Sequence, residues 1–423
     1  MMNLELDMIQ TAGIGALALF TGMLLTRKMA FLQKFCVPSP VSGGIIFSLI
    51  TLALYGWFGI EVSFDGTLKD FFMLAFFTSV GFQSDLKVIK QGGRLLIIML
   101  VLLVVIITLQ NLMPAAITRL MGVDPLIGMA TGSISMTGGH GTAGGFAKVL
   151  EEMGLQGAGT IGMAAATFGL VAGSMLGGPL AEKIIRTKLT HEQMQPQDDE
   201  IDPAMAGIES DEASPTGRTK RVSTNEQEFQ QYAKAMYCII LAMGGGTVMS
   251  WLLAKTGVTF PTYFGALILA AITRNILGFT SYKDEAGKRV KAEKLLDMER
   301  IISVGNISLS MFLGMAMISL KLWELQSLAL PLIVILISQI AMMGLFAFFV
   351  AFPLLGRNYD AAVLCAGICG FGLGATPNAM ANMSAVCYKY RYTVKPFLIV
   401  PIIGAMFADL INTGIITVFL NIF

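Results

Sequence analysis

The residues with the most chemical promise sit in two glycine-rich stretches. The first holds Ser135, Thr137, Gly138, Gly139, His140, Gly141 and Thr142. The second holds Gly370, Gly372, Gly374, Ala375, Thr376, Pro377 and Asn378. Glycine clusters break a helix and let the backbone approach a ligand closely. A helix restarting near Thr142 or Pro377 would aim unpaired N–H groups and a positive dipole end inward, which suits a carboxylate. Carbonyls ending the upstream half-helices, near 135–137 and 370–373, suit a small cation such as Na⁺. The competing reading is close helix packing by small residues.

Asp409 lies midway along the apolar run 396–420. A carboxylate there costs about 2.5–3.5 kcal/mol on insertion scales, so a partner is expected. A substrate ammonium or a sodium ion would serve. Asn412 and Thr413 follow on the same helical face. Asn306 and Ser310, four apart, also share a face; they suit a cation or a neighbouring helix. His140 suits a substrate carboxylate, a proton, or hydrogen bonds that fix its own loop. The other histidine is His191. Gln339, alone in its span, reads as an interhelical hydrogen-bonding group. No GxSxG, HExxH or P-loop pattern supports hydrolysis or ATP-driven pumping.

The elements that must position these residues follow from composition. Of 423 residues, 55% are hydrophobic, 13% are charged and 46 are glycine, with a mean hydropathy of +0.70. A soluble core cannot use that much apolar surface. Soluble globular, disordered and collagen-like chains are excluded, and long apolar blocks argue against an outer-membrane barrel. Net charge is +1, and no basic patch points to nucleic acid. The five scattered cysteines neither form a disulfide framework nor complete a zinc site.

A bilayer core takes about 20 apolar residues per helix. Spans are expected near 8–26, 41–59, 71–83, 95–113 and 158–180, then near 232–253, 261–279, 301–320, 328–352 and 396–420. The segment 71–83 should extend at its ends. The first span is not a cleavable signal, because Glu5 and Asp7 precede it and Arg27, Lys28 and Lys34 follow. That asymmetry places the N-terminus outside. If both glycine-rich stretches dip in and return, only Lys69, Arg119, Lys148, Lys255 and Lys321 of the 29 lysines and arginines lie outside. Full crossings would destroy this bias. Residues 189–231 carry ten acidic residues and read as a cytoplasmic polar linker.

The linker divides two similar halves, 1–188 and 232–423. A shift of 234 lays Gly138 on Gly372 and Thr142 on Thr376; a shift of 242 lays Gly162 on Gly404 and Thr167 on Asp409. Five crossings per half force the second half to insert upside down. The expected fold is an all-α membrane protein of two inverted-topology repeats of five transmembrane helices. Each repeat carries a glycine-rich re-entrant segment, 125–156 and 361–395, entering from opposite faces. Such repeats with broken helices mark secondary transporters.

Several stretches carry a resemblance to a known family. They are Pro38-Ser-Pro-Val-Ser-Gly-Gly44, Thr137-Gly-Gly-His-Gly-Thr142, Gly305-Asn-Ile-Ser-Leu-Ser310 and Lys321-Leu-Trp-Glu-Leu325. To these add Asn358-Tyr-Asp-Ala-Ala362, Gly370-Phe-Gly-Leu-Gly-Ala-Thr-Pro377 and Asp409. Together they resemble the bacterial glutamate:sodium symporter family over nearly the whole chain except the linker. Thr137 stands where that family commonly has serine, and Asn378 where it often has threonine. The resemblance implies Na⁺-coupled uptake of L-glutamate at the inner membrane, without a cofactor. It also implies an elevator-like motion of a transport domain against a dimeric scaffold.

The resulting expectation is a carrier, not an enzyme. Thr137, Gly138, Gly139, His140, Gly141 and Thr142, with Gly374, Ala375, Thr376, Pro377 and Asn378, would hold the substrate carboxylates. Asp409 would meet the ammonium or sodium. Ser135, Asn306, Ser310, Gly370 and Asn412 would complete the sodium sites. The alternatives are a Na⁺- or H⁺-coupled carrier of another organic anion, and a membrane enzyme using His140 and Asp409 as acid–base groups.

Overall fold

The computed structural model describes residues 2–87, 93–190, 225–283 and 289–422. Most of the expected linker, 191–224 with His191, lies outside the described residues. Asp7 starts the first helix with a capping box: its carboxylate accepts from Gln10 N–H, and the Gln10 side chain accepts from Asp7 N–H. That helix is α1 (Met8–Lys28), followed by the short α2 (Ala30–Lys34), α3 (Ser39–Phe58) and α4 (Thr67–Gln83). The segment expected at 71–83 thus gains a turn at its N-terminal end. Next come α5 (Gly93–Met121), α6 (Pro125–Ala130), α7 (Gly139–Glu152) and α8 (Ala158–Lys188).

The chain goes on with α9 (Asn225–Ala254), α10 (Phe264–Phe279) and α11 (Met298–Ile318). It continues with α12 (Ala329–Leu354), α13 (Tyr359–Leu373) and α14 (Thr376–Lys389). The last rod, α15, runs through Lys395–Ile402, a π-turn at Ile403–Phe407 and Ala408–Leu420. Seven of these helices are long and apolar enough to cross a membrane. Helix therefore dominates, as expected, but the sequence reading missed two small ribbons. β1 (Met2–Leu6) pairs in parallel with β2 (Ile60–Phe64), and β3 (Ser281–Lys283) pairs antiparallel with β4 (Arg289–Lys291). Among the described residues each ribbon has two strands, and all five cysteines are free thiols.

The helices sort into two groups by packing. The first three long helices of each half, α1, α3 and α4 with α9, α10 and α11, pack mainly on one another. The remaining helices, α5 to α8 with α12 to α15, form the other group, centred on α8 against α13. The loop 319–328 joins the groups. There Lys321 pairs with Glu61 at 2.7 Å; the Glu61 hydrogen bond raises its pKa, and burial raises that of Glu324.

Small residues set the closest crossings. Ala18 and Gly22 of α1 meet Ser39 and Gly43 of α3, so a Cβ on Gly43 would overlap the Ala18 carbonyl. This small-xxx-small seam lets the two backbones touch. The neighbouring atom is main chain and cannot move aside like a flexible side chain. Gly43→Leu should therefore cost on the order of 1–3 kcal/mol or more by overpacking. Thermal unfolding in detergent would show it as a lowered Tm, and an unchanged Tm would show that the seam separates freely.

Candidate functional site

Both broken helices begin with a capping side chain. Asp124 accepts from Leu126 N–H at 2.8 Å, with Pro125 fixing the first turn. Asn358 accepts from Ala361 N–H at 2.9 Å. In the first stretch regular helix ends at Ala130, tight turns fill 131–137, and helix resumes at Gly139. That restart is three residues earlier than expected, because Gly139 takes φ +60 and turns the chain there. In the second stretch the chain turns at Gly374, Ala375 is extended and helix resumes at Thr376. The breaks touch: a Cβ on Gly139 would lie 3.3 Å from the Gly374 carbonyl.

Breaking a helix frees main-chain groups that need new partners. Buried amide side chains supply many of them. Asn111 Oδ1 accepts from Ser133 N–H at 3.1 Å, and Asn412 Nδ2 donates to the Ser133 carbonyl at 3.1 Å. Gln110 Nε2 donates to the Gly372 carbonyl at 2.5 Å, while Thr137 donates to Gln110 Oε1 at 2.6 Å. Gln339 donates to the carbonyls of Gln110 and Thr131 at 3.0 and 3.3 Å. Gln339 is thus the interhelical link that the sequence suggested. Asn382 donates to Gly173 O at 2.9 Å.

A cavity of about 290 Å³ opens between the breaks and the other helix group. Its wall includes Thr137, Gly138, Gly139, His140, Gly141 and Thr142 from the first break. Gly374, Ala375, Thr376 and Pro377 come from the second, with Asp409 from α15 and Asn306 from α11. Phe76, Val80 and Gln83 of α4 close the opposite side. The N–H groups of Gly139, His140, Gly141 and Thr376 have no acceptor among the described residues. Asp409 has no hydrogen-bond or ion-pair partner among them either.

Other expected site residues lie off this wall. Ser135 donates to Ala130 O and Gly162 O, at 2.5 and 2.8 Å. Ser310 donates to the Asn306 carbonyl at 2.9 Å. Asn378 is fully buried and donates to Leu170 O and Ser174 Oγ, at 2.9 and 2.5 Å. Gly370 packs its α-carbon against the Ala379 backbone. Asn412 holds the first break from behind, and its Oδ1 is buried without a partner, as are the hydroxyls of Thr142 and Thr413. Arg274 pairs with Asp85 at 3.0 Å, and Arg300 with Glu299 at 3.1 Å. Among the described residues, no lysine or arginine lines the cavity.

Sequence reasoning missed Gln110, Asn111 and Tyr263. The two amides were readable as polar residues inside the apolar run of α5. Tyr263 is fully buried, stacks on Phe77 at 3.7 Å and lies edge-on to Phe146 at 6.0 Å. Gly144 and Gly145 of α7 pack against Phe312, Tyr263 and Phe77. Beyond these rings is a second cavity of about 780 Å³, bordered by Lys69, Lys148, Lys321 and Glu324.

A family model described as "Sodium/glutamate symporter" matches residues 4–392. A protein of Escherichia coli named "Sodium/glutamate symporter" is 39% identical over 422 residues, covering 98% of each chain. A Haemophilus influenzae protein of the same name is 35% identical over 418 residues, covering 99% of this chain and 98% of that one. With its cavity between two broken helices and these full-length matches, the chain belongs to the sodium/glutamate symporter family of multi-pass membrane proteins.

Proposed function

We propose that the chain carries L-glutamate into the cell together with Na⁺, by alternating access. The single observation behind this reading is Asp409: an unpartnered carboxylate on a cavity whose other polar groups are main-chain N–H groups, hydroxyls, the His140 ring and the amides of Asn306 and Gln83. An amino dicarboxylate complements that wall. Its ammonium meets Asp409, and its carboxylates take the free N–H groups at Gly139–Gly141 and Thr376. Helix N-termini hold anions without a fixed cation. The cavity's volume suits a small solute, at the low end of the ligand-pocket range of about 300–1,000 Å³. Sodium is the second cargo. The unpaired oxygens of Thr142, Asn412 and Thr413 lie on α15 and the facing turn of α7, and hard oxygen donors suit a small hard cation. Asn306 completes the donor set from the opposite helix group.

Two inverted halves, 1–188 and 232–423, are part of the same reading, with re-entrant segments at 125–156 and 361–395. The caps Asp124 and Asn358 are 234 apart, as are Gly138 and Gly372. The bridging amides Gln110 and Gln339 are 229 apart. The charge bias supports termini outside and a cytoplasmic linker in the inner membrane. The two packing groups support an elevator-like shift of α5–α8 and α12–α15 against a dimeric scaffold of the others.

The function is tested in proteoliposomes. An inward Na⁺ gradient should drive glutamate uptake, K⁺ in its place at fixed pH should not, and Asp409→Asn should abolish the coupled uptake while remaining folded. Uptake that ignores Na⁺, or a fully active Asp409→Asn, defeats the reading. Thr413→Val keeps the shape but removes one unpaired oxygen. It should raise the Na⁺ concentration for half-maximal uptake by about fivefold, on the order of one hydrogen-bond-sized contact. For the architecture, cysteines placed at Lys148 and Arg391 should label from opposite sides of the membrane; labelling from one side would remove the inverted repeat.

A further inference from the structure

The His140 ring makes one polar contact among the described residues: Nε2 lies 2.9 Å from Thr167 Oγ1. That same oxygen lies 2.9 Å from the Met163 carbonyl, one helical turn back along α8. A threonine hydroxyl has a single proton to give. Given to His140, it would leave Thr167 Oγ1 and the Met163 carbonyl facing each other at 2.9 Å with only lone pairs between them. Given to Met163, it requires Nε2 to bring its own proton. Only the second arrangement makes both contacts hydrogen bonds.

We propose that Thr167 is a positioning residue: it holds His140 as the Nε2–H tautomer, so the ring offers the cavity a bare Nδ1 that accepts from the cargo's ammonium group. This rests on the amino-dicarboxylate reading of the cavity. His140 lines that cavity, and the other titratable side chain on its wall is Asp409 from α15. No described residue bonds Nδ1. An ammonium with three N–H donors can then be shared between Asp409 and Nδ1, while the helix N-termini take the carboxylates. A hydroxy or oxo dicarboxylate leaves at least one of these acceptors without a donor, and sites built around such hydrogen bonds reject analogues that lack them. Thr167 and Asp409 fall on equivalent positions under the 242-residue shift. One end of the repeat thus supplies the carboxylate and the other sets the imidazole.

The chain has only two histidines, so imidazole ¹⁵N spectra of histidine-labelled protein, purified without a histidine tag, are simple to assign. His191→Gln identifies the His140 signals by elimination. At about pH 8, above the ordinary histidine range, the expected spectrum is protonated Nε2 with unprotonated Nδ1. An Nδ1–H signal from His140 overturns the proposal. Thr167→Val should mix the tautomers and raise the glutamate KM about fivefold or more, with Vmax nearly unchanged. Thr167→Ser should restore both readouts. A valine variant with wild-type spectrum and wild-type KM also overturns it. The spectral arm needs no transport: a carrier of some other cargo would keep the tautomer yet fail glutamate uptake, so the two ideas fail separately.

Discussion

A chain that interrupts its helices among apolar neighbours must find a partner for every main-chain group it releases. The structure around both breaks answers that constraint. Asn111, Asn412, Gln110, Gln339 and Asn382 each aim a buried amide at a main-chain carbonyl or N–H of the breaks and their supporting helices. An amide side chain suits the task because it donates and accepts at once. The cluster also ties the halves together, since Gln110 of the first reaches Gly372 of the second, and Gln339 of the second reaches Thr131 of the first. Among the released N–H groups without an acceptor in the described residues, those of Gly139–Gly141 and Thr376 belong to residues that line the cavity.

Much of this was legible in the sequence, for identifiable reasons. The ten expected spans fall on helices, seven of them long and apolar enough to cross a membrane, because a span needs an unbroken hydrophobic run, which leaves a mark on composition alone. The breaks were legible because glycine clusters and Pro377 contradict such runs. Their edges were less so: the turn at Gly139 depends on a positive φ that composition does not distinguish from the conformations of Gly138 or Gly141. Asp409 stood out as a charge in the wrong solvent. Ser135, Ser310 and Asn378 shared that polar-in-apolar signal, yet their side chains serve the fold. A sequence shows that a polar group needs a partner and leaves open whether the partner is backbone or ligand. Gln110 and Asn111 escaped notice because nothing in α5 says which helix crosses them. The ribbons are five- and three-residue strands, too short for a periodic signal.

Glycine has two distinct tasks here. At the α1–α3 crossing, Gly22 and Gly43 bring backbones into contact and fix one arrangement. Along α7, Gly144 and Gly145 offer a face without side chains to the rings of Phe312, Tyr263 and Phe77. Such a face has few ridges to interlock with its neighbour. The first contact lies within one helix group and the second between the two. That placement is what a carrier moving as two bodies would need, because rigidity belongs inside each body and smoothness belongs where they meet.

That no described lysine or arginine lines the cavity has an electrical corollary. In the proposed cycle, peptide dipoles bring no net charge, so Asp409 supplies the unbalanced fixed charge of its wall. Unloaded, with that carboxylate ionised, the site would carry one negative charge, and an interior-negative potential would push it back toward the outer face. Displacing one charge through 100 mV releases about 2.3 kcal/mol. Part of the voltage would thus be spent on resetting an empty carrier, beyond any share that acts on the ions it brings in.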